Sequence, residues 1–134
     1  MRLNKYNKAW IDKLMSGKTR KCKQQLADGK GRNCCLGVGI NVCKLEQIQN
    51  PLKAMDEDLT HFLKTKEALK ISSSGQINFN KLTTEWKRKL KAIRKESNLH
   101  MNYYSLIELN DYSNMTHKEI GHFINENREA VFTG

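Results

Sequence analysis

The sequence predicts a small, predominantly helical α+β domain carrying one or two short β-hairpins. Three observations predict it. Apolar residues recur at helical spacing in several segments, glycine-bearing turns (Asp28-Gly29-Lys30-Gly31 and Ser72-Ser73-Ser74-Gly75) separate short runs of β character, and 134 residues fit one domain, residues 1–134, around one core. Hydrophobic residues make up 38% of the chain, enough to offset the entropy of ordering it. No internal repeat and no low-complexity linker divides it.

Asn4 to Ser16 places Tyr6, Trp10 and Leu14 at i, i+4 and i+8 with charged residues off that stripe, and Gly17 follows as a stop, so an amphipathic first helix is expected. Lys18 to Arg32, folded about the Asp28–Gly31 turn, reads as a hairpin or extended arm. Cys34 to Leu45 is apolar and long for a strand; helix is favoured, although Gly37 and Gly39 weaken it. Pro51 breaks what precedes it, and Leu52, Met55, Leu59 and Leu63 give a short helix. Leu69-Lys70-Ile71 and Gln76 to Phe79 flank the serine-glycine loop as a second hairpin. Thr83 then caps a helix with Trp86, Leu90 and Ile93 on one face, ending near Ser97-Asn98. Ser105 to Leu109 is a short helix or turn closed by Asn110-Asp111. The strongest local signal comes last: Thr116 as N-cap with Glu119 three residues on is a capping box, Met115 and Ile120 are placed as its hydrophobic staple, and Ile120, Phe123 and Ile124 form the buried face.

The formal net charge is +10, and ten Lys and Arg fall within Met1 to Arg32 against two acids, Asp12 and Asp28. A second basic block, Lys87, Arg88, Lys89, Lys91, Arg94 and Lys95, occupies one predicted helix, with the acidic Asp56-Glu57-Asp58 between the two blocks. Such asymmetry suits a polyanionic partner. No run approaches about 18 consecutive apolar residues, and Met1 to Lys5 lacks an apolar signal region, so a cytoplasmic protein without a membrane partner is expected. Thiols stay reduced there. Cys22, Cys34, Cys35 and Cys43 form no Cys-x-x-Cys pair, and neither a metal site nor a cofactor is expected.

With these residues in view, the chain resembles a widespread family of small proteins met mainly in bacteriophage and prophage genomes. The resemblance rests on Trp10 with Ser16-Gly17, the Cys34 to Val38 run after a glycine turn, Leu109-Asn110-Asp111 and Glu119-Ile120, in matching order along most of the chain. Gly39 stands where the family has Leu. The resemblance implies an accessory role in the host cell cytoplasm and supplies no catalytic mechanism.

Two chemistries compete for the candidate residues. Cys34 or Cys35, at a helix start, would have its thiolate favoured by the helix dipole and could act as a nucleophile if His61, His100, His117 or His122 lay in reach; close packing of small residues against the capped C-terminal helix is the favoured reading. Phosphate binding has the better case. Lys18, Arg20, Lys21, Lys23, Lys30 and Arg32 surround a turn whose glycines leave backbone amides approachable, Lys87, Arg88, Lys91, Arg94 and Lys95 supply the second block, and Asn110 and Asp111 could contact a ligand. There is no Walker loop. Trp10 and Trp86 sit on apolar stripes as core residues, whereas one of the adjacent Tyr103 and Tyr104 should face solvent and be free to stack on a base. The expected function is therefore a non-enzymatic phage accessory protein that binds nucleic acid or a host nucleoprotein through its basic surface, in host takeover or counter-defence. Sequestration of a small nucleotide signal and a cysteine-dependent enzyme are the alternatives.

Overall fold

The computed structural model describes residues 1–23, 28–43, 65–72, 74–96 and 103–133. The helix expected over Leu52 to Leu63, the acidic patch at Asp56 to Asp58, His61 and His100 lie outside them. Helix α1 (Lys5–Met15) begins where the Asn4 side-chain oxygen accepts the N–H groups of Tyr6 and Asn7, satisfying two of the donors that a helix start leaves unpaired. Gly17, at φ 74°, turns the chain away after the last turn. The buried face is Asn7, Trp10, Ile11 and Leu14, with Tyr6 packed at its edge.

Strands β1 (Arg20–Lys21) and β2 (Arg32–Asn33) pair in parallel, Arg20 opposite Arg32 and Lys21 opposite Asn33. The expected hairpin is thereby corrected. Parallel pairing requires the chain to return to the same end before it re-enters the ladder, and the Asp28 to Arg32 turn completes that return. Gly29 and Gly31 take φ of 74° and 84°, and the Asp28 N–H donates to the Arg32 carbonyl at 3.1 Å.

Helix α2 (Cys35–Cys43) is buried at Cys35, Leu36, Gly37, Val38, Gly39, Ile40 and Cys43. An apolar helix with two glycines holds its shape through packing rather than propensity. The packing partner is not the C-terminal helix that the sequence suggested. A Cβ on Gly39 would lie 2.7 Å from Leu69 Cδ1 and 3.3 Å from Trp10 Nε1, so the glycine admits α1 and the helical residues 65–69.

The second hairpin is also corrected. Leu69 is still helical, Lys70 takes a φ of 60°, and Gln76 bridges antiparallel to Ser105 instead of to the preceding run. The 103–106 segment offers the better ladder: the Ile77 N–H donates to the Tyr104 carbonyl and the Leu106 N–H to the Gly75 carbonyl, each at 2.8 Å. Asn78 then caps a 3₁₀ turn, Phe79–Lys81. Helix α3 (Thr84–Glu96) buries Trp86 and Leu90 and is capped by Thr83, which accepts the Trp86 N–H at 3.2 Å. Helix α4 (Leu106–Tyr112) starts at Ser105 and contains Asn110 and Asp111 in its last turn rather than ending before them. Helix α5 (His117–Glu126) has both halves of the Thr116–Glu119 capping box, and α6 (Arg128–Val131) follows. The result is a small, mostly helical α+β domain with a two-stranded sheet.

One core unites these elements, with Trp10, Leu14, Leu36, Leu109, Ile120 and Phe123 at its centre. Helix α1 packs on both α5 and α2, and α2 packs on α4. Among the described residues no helix is long and apolar enough to cross a membrane. The α1–α5 crossing is closest at Gly121, where a Cβ would stand 2.7 Å from Met15 Cγ and 3.0 Å from the Met15 backbone nitrogen. Backbone cannot yield as a side-chain tip can, so Gly121→Ala should destabilise the fold by about 1–3 kcal/mol in chemical denaturation; unchanged stability would show that the crossing is looser than this.

Candidate functional site

The adjacent cysteines have separate structural tasks. Cys34 stands just before α2, and its Sγ accepts the Gly37 N–H at 3.3 Å, taking the place that a serine oxygen fills in an ordinary N-cap. Cys35 is 0% exposed. Its N–H donates to Asn110 Oδ1 at 3.0 Å, its carbonyl accepts Trp10 Nε1 at 2.8 Å, and its Sγ faces the Leu106 carbonyl at 3.7 Å. Burial pushes the Cys34 thiol up to about 11 against weaker opposition from the Gly37 and Leu36 N–H groups. Burial, then the neighbouring Cys34, drives Cys35 well above the usual thiol range. A nucleophilic cysteine needs an accessible thiolate, and the burial of Cys34 and Cys35 suits the favoured packing role, to which the Cys34 sulfur adds capping. Cys22 and Cys43 are buried free thiols as well.

Asn110 is likewise engaged within the fold. It is 0% exposed, and its Nδ2 donates to the Cys22 carbonyl at 2.8 Å and to Asp111 Oδ1 at 3.0 Å. Asp111 is half-buried beside it. Lys21 also turns inward, donating from Nζ to the carbonyls of Ser113 at 2.9 Å and Met115 at 2.7 Å. Burial, and then Lys23, lowers its pKa, while Asp111 and Glu119 favour its charge. Below it His117 is 2% exposed, with Nδ1 2.7 Å from Thr19 Oγ1 and Nε2 buried without a hydrogen-bond partner. Burial first, then Lys21, pushes this imidazole down to about 4, with a backbone group of Asn33 opposing them.

Two amides of the glycine turn are already taken by the turn's own carboxylate. Asp28 Oδ1 accepts the N–H groups of Lys30 at 2.8 Å and Arg32 at 3.1 Å, and Oδ2 accepts the Arg32 guanidinium. Desolvation would raise the Asp28 pKa, but these bonds together outweigh it and hold the carboxylate ionised. The cradle is filled from within. Lys18, Arg20, Lys23 and Lys30 stay exposed around it, and Arg32 is committed to the ion pair with Asp28.

A different arrangement appears on α3. Lys87, Lys91 and Arg94, at i, i+4 and i+7, line one wall of a hollow of about 310 Å³ whose apolar side is Leu90, Phe79, Tyr103 and Tyr104. None of the described residues lining it carries a carboxylate. Tyr103 is 2% exposed and Tyr104 56%, so the adjacent tyrosines divide as their opposite directions require. The Tyr104 ring stands edge-on to Phe79, with centroids 5.6 Å apart at 80°. Arg88 and Lys95 are exposed on α3 but do not line the hollow, and Lys89 is held by Glu85 at 2.9 Å and lies over Trp86 at 4.7 Å. Of the thirteen residues singled out as ligand contacts, three therefore converge. Phe79 carried no sequence signal for this place, since it read as part of a hairpin; its contact to Tyr104 bridges residues far apart in the chain.

Residues 3–128 match a protein family described as Domain of unknown function (DUF8296). The chain belongs to this family. No curated protein and no solved structure matches it. The stretch shared with DUF8296 takes in the Asn110 contacts and the α3 hollow together. Both are features of the family domain as this chain builds it, rather than of an appended segment.

Within this DUF8296 domain, Asn110→Ala would leave the buried Cys35 N–H and Cys22 carbonyl unpaired. A loss of roughly 2–5 kcal/mol in urea unfolding is expected, and near-wild-type stability would show that other groups take up those bonds. For His117 the native state stays neutral down to about pH 4 while the unfolded chain binds a proton near 6.5. Stability linked to the neutral ring is therefore complete above pH 6.5 and lost as pH falls towards 4, by about 3 kcal/mol. His117→Gln should flatten the stability profile between pH 6.5 and 4 by close to one proton; an unaltered slope would assign the acid sensitivity to other groups.

Proposed function

We propose that this DUF8296 domain is a non-enzymatic nucleic-acid-binding protein whose contact surface is the α3 hollow. The observation that carries the reading is the convergence of Lys87, Lys91 and Arg94 with the exposed Tyr104 ring in a single groove without a carboxylate among its described lining residues. Phosphates attract the three cations and a base has a ring to stack on, the two elements that sequence-tolerant nucleic-acid binding combines. The cations extend over about 10 Å of helix at 1.5 Å per residue, a spacing that suits a row of phosphates better than one enclosed nucleotide. The net charge of +10 adds a long-range field that draws polyanions in. Burial of all four thiols weighs against the cysteine-dependent alternative. The phage resemblance supplies a setting for the same reading: an accessory protein acting on nucleic acid or nucleoprotein in the host cytoplasm, in host takeover or counter-defence.

The test is fluorescence anisotropy of labelled DNA and RNA across a salt series. Three phosphate contacts give a log–log slope of roughly −2 to −3. Lys91→Glu with Arg94→Glu should weaken binding at least tenfold and make that slope shallower, while Arg20→Glu with Lys23→Glu does less. Absence of binding at low salt, or a larger effect from the Arg20 and Lys23 pair, would overturn the assignment of the groove.

A further inference from the structure

Resting on that reading, we propose that the ligand is a single strand, carried past Tyr104 from the α3 hollow into a second hollow that the same residue lines. The second hollow holds about 540 Å³, and Tyr104 lines both. Its walls include Gln76, Asn78, Lys81 and Glu129 and residues 130–133. Tyr104 is therefore common to a cationic trough and a mixed polar one.

Three features assign a strand rather than a duplex. The ring is exposed yet fixed: Phe79 supports its edge, the Tyr104 carbonyl accepts the Ile77 N–H at 2.8 Å, and the Tyr104 N–H reaches Glu108 Oε2 at 3.4 Å. A base inside a duplex has both faces covered by its neighbours and cannot lie on such a ring, whereas an unpaired base can. The second hollow also has the chemistry of a base seat rather than a phosphate seat. Lys81 and Glu129 offset each other's charge there, unlike the purely cationic α3 wall, while the Gln76 side-chain amide and Asn78 Nδ2 have no hydrogen-bond partner among the described residues and present donors and an acceptor suited to a base edge. Phosphates on the α3 side, one base on Tyr104 and the next base beyond it make one continuous path. Deoxyribose and ribose strands share this chemistry.

The probes are labelled twelve-residue oligothymidine and oligouridine, together with a mixed-sequence DNA duplex of equal length, each at the same salt. The single strands should bind at least tenfold more tightly than the duplex. Tyr104→Leu, which keeps an apolar body against Phe79, should lower single-strand affinity by about tenfold and duplex affinity by much less, while Tyr104→Phe restores the strand. Equal affinity for strand and duplex, or single-strand binding indifferent to Tyr104→Leu, overturns the single-strand assignment but leaves the groove standing. Binding of no probe removes both. Oligodeoxyuridine, which differs from oligouridine in the sugar alone, is compared with it to identify which sugar the site takes.

Discussion

The fold depends on one buried amide. Asn110 sits in the last turn of α4 with no exposure to solvent, and it ties two other pieces of chain to that helix, the first N–H of α2 and the carbonyl of Cys22 just after β1, while its amide also donates to the neighbouring Asp111. The need is created by α2. A helix that is apolar on most of its surface must be inserted whole, and its unpaired N-terminal donors go in with it. One is met by Asn110 and another by the Cys34 sulfur, so two side chains make it possible to bury a helix start without water. Trp10 completes the arrangement from α1, through Nε1 to the Cys35 carbonyl, and the same indole closes over Gly39.

A second tie secures the sheet. Two strands of two residues each cannot hold themselves together in water, and β1 is anchored instead by side chains that reach the α4–α5 connection. Lys21 binds the carbonyls of Ser113 and Met115, and Thr19 meets His117. Part of the N-terminal positive charge is thus spent inside the molecule. The cations of α3 have no such duty, since Trp86 and Leu90 hold that helix to the core and leave Lys87, Lys91 and Arg94 outward.

What the sequence disclosed and what it concealed divide by distance along the chain. The Thr116–Glu119 box, the Thr83 cap, the Gly17 stop and the Trp86-Leu90 stripe are written within a few residues of where they act, and each reads correctly. The opposite exposures of Tyr103 and Tyr104 follow from adjacency alone. Parallel rather than antiparallel pairing of Arg20 with Arg32 depends on how the intervening chain returns, which a glycine turn does not encode. Asn110 is separated by 75 residues from Cys35 and by 88 from Cys22, so its Asn-Asp dipeptide resembled a turn. Likewise the Asp28 carboxylate was counted as a minor acid in a basic stretch, although it faces the amides that the stretch was expected to offer. Of the basic residues, only spatial convergence separates the three that line the α3 hollow with Tyr104 from those elsewhere on the surface.

The Asp28 loop has a further implication. An anion tethered inside its own cradle competes at an effective concentration in the millimolar range or above, so a free phosphate meets an occupied receptor whatever the charge around it. On the proposed nucleic-acid role, the lysines and arginines near that loop would shape the encounter with a polyanion without trapping it. Attraction and docking would then fall to separate parts of the chain, and a ligand drawn towards the first would remain free to reach the second.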